Sequence, residues 1–130
     1  MAVFALMSTS VFAAFDDVTE DTDYYTAIGW MAYNEVINGY GDGTFGPDNC
    51  VQRAEILKML FEMLEIDESD YDGDNPFTDV PAGEWFTGYI ALAQERGTVE
   101  GYGDGSFKPA QCVLRSEAIK MAFKEFGFSE

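Results

Sequence analysis

A stretch of this chain is written twice, at one constant offset and without gaps. Phe15-Asp16-Asp17-Val18 returns as Phe77-Thr78-Asp79-Val80, and the loop from Gly39 to Phe45 (GYGDGTF) returns from Gly101 to Phe107 (GYGDGSF). Pro47 matches Pro109. The segment from Cys50 to Glu55 (CVQRAE) matches that from Cys112 to Glu117 (CVLRSE), and Lys58, Met59 and Phe61 match Lys120, Met121 and Phe123. Such a repeat is one supersecondary unit. It has too little surface to bury its own apolar face and needs a neighbour of the same kind.

Each unit reads as helix, loop, helix, which makes the chain mainly α. Tyr24, Ile28 and Met31 fall at helical spacing, with Ile37 near the end, and Phe86, Ile90, Ala93 and Val99 repeat the pattern. Gly39 and Gly101 are placed to stop that first helix. Three glycines in each five-residue GYGDG segment supply tight turns with positive φ, and Asp42 and Asp104 serve those turns. The second helix of the first unit carries Val51, Ala54, Leu57, Leu60, Phe61 and Leu64 on one face. Its counterpart carries Val113, Ile119, Ala122, Phe123 and Phe126.

These spans divide the chain into a first repeat at 14–66, an acidic linker at 67–76 and a second repeat at 77–130. Residues 1–13 read as a secretory signal peptide, with small residues at Val11 and Ala13 before the cut. No Lys or Arg precedes the apolar run, so the signal is weak or its start is clipped; a buried first helix or strand is the competing reading. At 12 residues or so, the run is too short to span a bilayer, which takes roughly 20.

Charge narrows the partners. With 24 acidic and 7 basic residues, no histidine and a net charge of -17, the chain lacks the basic face that nucleic acid or anionic lipid requires. Two cysteines without histidine cannot complete a four-ligand zinc site. No motif singles out a carboxylate pair for glycoside hydrolysis, and the segment from Gly41 to Gly46 fits G-x-G-x-x-G only by letter, with no βαβ unit around it. The chain reads as a binding protein, neither an enzyme nor a cofactor carrier.

The Phe-x-Asp-Val opening, the Gly-Tyr-x-Asp-Gly-Thr/Ser-Phe loop with its following Pro, and the Val-x-Arg-x-Glu helix start resemble the S-layer homology (SLH) domain family. The resemblance covers nearly all of the chain beyond the leader, in two copies. It implies tandem helix-loop-helix repeats packed as a partial pseudo-threefold helical bundle, usually closed by three repeats with glycan grooves between neighbours. It also implies a secreted, non-catalytic anchor. Such a module binds cell-wall polysaccharide, often a pyruvylated secondary polymer, and holds a surface protein on the cell wall or in an S-layer. With two repeats here, the remaining apolar faces call for self-association or a third SLH repeat from another chain. The family's helix-starting Thr is replaced by Gln52 and Leu114; losing that hydroxyl costs about 1 kcal/mol per helix unless another group caps.

Arg53 and Arg115 lead the candidate glycan contacts. No Lys or Arg precedes Arg53, and a cation in the first turn of a helix opposes the macrodipole. A bound carboxylate on a wall sugar would compensate, because a guanidinium fork grips carboxylates bidentately. The competing use is an ion pair from Arg53 to Glu55, to Asp17 or to an acid of the neighbouring repeat. Asp17, Asp79, Gly39 and Gly101 complete the candidate set, each with a structural alternative in capping or turn formation. Tyr40, Tyr102, Trp30 and Trp85 serve either as sugar platforms or as core. Cys50 and Cys112 precede equivalent helices, and form either one disulfide or two buried thiols. Glu68, Asp70, Asp72, Gly73 and Asp79 partly imitate an EF-hand loop, so the alternative class is a calcium-dependent surface adhesion or protein-interaction module.

Overall fold

The computed structural model describes residues 15–71 and 75–128, without the side chain of Asp70; the leader at 1–13 lies outside them. Four α-helices are described: α1 (Tyr25–Tyr33), α2 (Arg53–Met63), α3 (Thr87–Glu95) and α4 (Arg115–Glu125). They belong to two compact units, one ending at Asn49 and one beginning at Cys50. Packing is therefore out of phase with the sequence repeat. Helix α2 belongs to the first repeat by sequence but packs against α3 and α4 of the second.

All four helices end alike. Beyond the last turn, Glu35, Glu65, Gly97 and Gly127 take left-handed backbone (φ 61, 55, 75 and 77). The next amide then reaches back to the third-last carbonyl, as in Ile66 N to Phe61 O at 2.9 Å and Thr98 N to Ala93 O at 2.9 Å. This corrects one expectation: Gly39 and Gly101 do not stop α1 and α3, which end several residues earlier. They sit in the loops at φ 64 and 70. A side chain at Gly101 would strike the Phe77 ring and the Ser106 carbonyl, and one at Gly39 the Phe15 ring and the Thr44 carbonyl.

The two loops are clipped in the same way. Asp17 accepts the amides of Phe45 (2.8 Å) and Gly46 (2.7 Å), and Asp79 accepts those of Phe107 (2.8 Å) and Lys108 (2.8 Å). Phe15 stacks on Phe45, and Phe77 leans on Phe107, at centroid distances of 5.4 and 5.5 Å. Inside each loop, Asp42 accepts from the Thr44 amide and hydroxyl (3.0 and 2.7 Å), and Asp104 from those of Ser106 (3.0 and 2.6 Å).

These bonds favour the ionised carboxylates and hold three of them below the ordinary aspartate value of 3.8. For Asp17 the leading cause is the Phe45 amide; for Asp42 and Asp104 it is the Thr44 and Ser106 hydroxyl. A depressed folded pKa gives stability that is complete above 3.8 and lost as pH falls through the lowered value. The Asp42→Asn, Asp104→Asn double variant should therefore lose less stability than the parent when urea unfolding is compared above and well below that pH.

In the unit beginning at Cys50, Leu57, Phe61, Ile90 and Phe107 are wholly buried, with Ala54, Ala93, Val80 and Val99 around them. Glu125 is buried on α4 but partnered, accepting from Thr98 Oγ1 and from Arg96 Nε at 3.1 Å. Tyr89 donates to Glu62 at 2.6 Å; burial first, then that carboxylate, keep its hydroxyl protonated well above the ordinary phenol range. In the unit ending at Asn49, the core is Val18, Ile28, Val36 and Ile37. Within the acidic segment, Asp67 accepts the Ser69 amide at 2.9 Å and caps a 3-10 turn, Glu68–Asp70, that meets α3.

Candidate functional site

The seam between α2 and the second repeat is built from backbone. The amides of Arg53 and Ala54 donate to the carbonyls of Gln111 (2.9 Å) and Pro109 (3.0 Å), and Val113 N donates to Val51 O (2.9 Å). Two of the four orphan amides at the start of α2 are thus capped by the following loop rather than by a side chain. The Glu55 carboxylate takes the Gln52 amide at 2.7 Å, and Glu117 takes the Leu114 amide at 2.9 Å. The helix that lacks a Thr at its start is capped by these groups. A disulfide joins Cys50 to Cys112 across the same seam, with Cα atoms 5.7 Å apart and a separation of 62 in sequence.

Arg53 lies at the centre of this seam, 5% exposed. Its Nε donates to the Phe107 carbonyl at 3.0 Å and its Nη1 to Glu117 Oε1 at 2.9 Å. The guanidinium carbon stands 4.7 Å from the Phe107 ring centroid and 5.0 Å from that of Tyr102. The internal pair is thus made with an acid of the neighbouring repeat, and with neither Glu55 nor Asp17. It uses two of the five guanidinium donors. Nη2 makes no hydrogen bond to protein among the described residues.

A crevice of about 120 Å³ lies beside it, lined by Arg53, Gly101, Tyr102, Glu117, Lys120 and Glu100 among others. Arg53 and Gly101 therefore meet in one site. Asp79 is outside the lining, with both carboxylate oxygens on the loop amides of Phe107 and Lys108; Asp17 holds the amides of Phe45 and Gly46 in its own loop. Arg115 is exposed and makes no ion pair among the described residues. Trp30 and Trp85 are 53% and 51% exposed rather than core. Glu117 and Lys120 were absent from the candidates, although both recur in the repeat, opposite Glu55 and Lys58. Among the described residues, no group of three or more acidic or cysteine side chains is placed to hold a metal ion; Asp72 and Gly73 of the EF-hand-like stretch lie outside them.

The family model of the S-layer homology domain matches residues 14–57 and 76–119. A "Cell surface protein" of Thermoanaerobacter kivui is 31% identical over 133 residues, covering 98% of this chain and 18% of the relative. A "Cellulosome-anchoring protein" of Acetivibrio thermocellus is 31% identical over 98 residues, covering 73% and 22%. A "Surface layer protein" of Brevibacillus choshinensis is 30% identical over 95 residues, covering 72% and 8%. The chain spans less than a quarter of each of these relatives. No helix among the described residues is long and apolar enough to cross a membrane. With two clipped loops of one design, each inside a family match, the chain belongs to the S-layer homology domain family, a non-catalytic domain of cell-surface proteins that anchors them to the cell wall.

Proposed function

We propose that this chain binds an acidic cell-wall polysaccharide at the Arg53 crevice and so holds a surface protein on the wall. The observation that carries this reading is the guanidinium of Arg53. It is fixed by Phe107, Tyr102 and Glu117, spends two of its five donors on them, and lines a crevice that also presents Lys120. A pyruvyl or uronate carboxylate would complete the fork, and the absence of Cβ on Gly101 leaves room for the sugar to approach the backbone. Arg115, at the equivalent helix start, and Gly39, at the equivalent loop position, belong to the same proposal. Asp79 acts by holding the loop that follows Gly101 and Tyr102, and Asp17 holds the equivalent loop after Gly39.

The Arg53→Ala, Arg115→Ala double variant is expected to lose binding to purified cell-wall sacculi while its helical circular dichroism survives. Lys120→Glu, at an exposed position, should weaken binding roughly tenfold, the scale of a charge-assisted contact. Binding that stays at the parent level in both variants overturns the reading. Because the net charge of -17 repels an anionic polymer at long range, affinity should hold or rise with added salt.

A further inference from the structure

The seam around Arg53 has two sides, and the chain carries a second copy of each without its mate. On the helix side, α2 buries Leu57 and Phe61 completely, whereas their equivalents on α4, Ile119 and Phe123, are 60% and 40% exposed. Arg53 is buried on Phe107, whereas Arg115 is exposed. The amides of Arg53 and Ala54 are capped by loop carbonyls, whereas those of Arg115 and Ser116 meet no backbone carbonyl among the described residues.

On the receiving side the contrast repeats. Tyr89 of α3 is 5% exposed, and its equivalent on α1, Ala27, is exposed. Phe107 is wholly buried and Phe45 only half-buried, while Tyr40 is 41% exposed. The charges are complementary too. No Lys or Arg occurs before Arg53, whereas α4 holds Arg115, Lys120 and Lys124 of the seven in the chain.

We infer that α4 of one copy docks on residues 15–49 of a second copy, as α2 docks on α3 and its loop. Ile119 and Phe123 then cover α1 beside Ala27. Arg115 lies over Tyr40 and Phe45 with Nε on the Phe45 carbonyl, and the carbonyls of Pro47 and Asn49 cap the amides of Ser116 and Arg115. The contact is heterologous: each copy offers one helix face and one receiving face. It is independent of the polysaccharide reading, because association is measured with no polymer present.

The test is light scattering and sedimentation of the full chain with its disulfide intact. The parent should associate with rising concentration. Phe123→Glu on the helix face and Ala27→Glu on the receiving face should each weaken association at least ~tenfold, since each buries a charge. Mixed together, the two variants should form a 1:1 complex that grows no further, because each retains the face the other has lost. Ile119→Lys and Tyr40→Ala stand in for either variant whose circular dichroism departs from the parent. A parent that is monomeric at every concentration overturns the inference. So does association that survives either substitution, or a mixture that stays monomeric.

Discussion

Phe107→Ala is expected to lower the unfolding free energy by about 3–5 kcal/mol, the usual cost of emptying a buried aromatic site. Phe107 is wholly buried and sits where three structures meet. Its ring packs on Phe77, its amide is held by Asp79, and its face and carbonyl both support Arg53. Against a total of roughly 5–15 kcal/mol for a domain of this kind, the loss consumes a large share. It should appear in urea unfolding as a lower midpoint with an unchanged slope. A variant within 1 kcal/mol or so of the parent would mean that the Phe107 site collapses without cost, and the loop would then owe its shape to the Asp79 clip alone.

Replacing both Cys50 and Cys112 by Ser is expected to cost about 4 kcal/mol in the chain-entropy treatment of a loop this long. The crosslink spans 62 positions, so opening it enlarges the unfolded ensemble more than a short crosslink would. The backbone bonds beside it, Val113 to Val51 and Arg53 to Gln111, remain in the folded state. Helical content should therefore persist in water, while the unfolding midpoint falls. Alkylation of the native, unreduced protein should modify no thiol; two modified cysteines would remove the crosslink from the account.

The repeat was legible because its residues hold local geometry. Glycines at 39 and 101 take positive φ, and Asp42 and Asp104 bond the hydroxyl two places on. The helix faces were legible for a similar reason: Leu57 and Phe61 fall at helical spacing, and both are buried. Helix ends were not. Glu35 and Glu65 adopt the left-handed conformation that glycine usually takes at a helix end, so no glycine marks the end of α1, and Gly39 lies beyond it in the loop. The partner of Arg53 was also hidden. Glu117 lies 64 positions away, and only the closing of α2 onto the second repeat brings the two together.

Residue order alone established two helical units of one design, an acidic surface, and a guanidinium at each equivalent helix start, since these follow from periodicity, turn chemistry and charge within short spans. Tertiary structure decided which unit each helix joins. It made Arg53 a buried, half-satisfied cation beside a crevice while Arg115, in the same local sequence, stands exposed. The reason is that the two arginines differ in what lies across the seam rather than in their neighbours along the chain: a following loop covers the first, and among the described residues none covers the second.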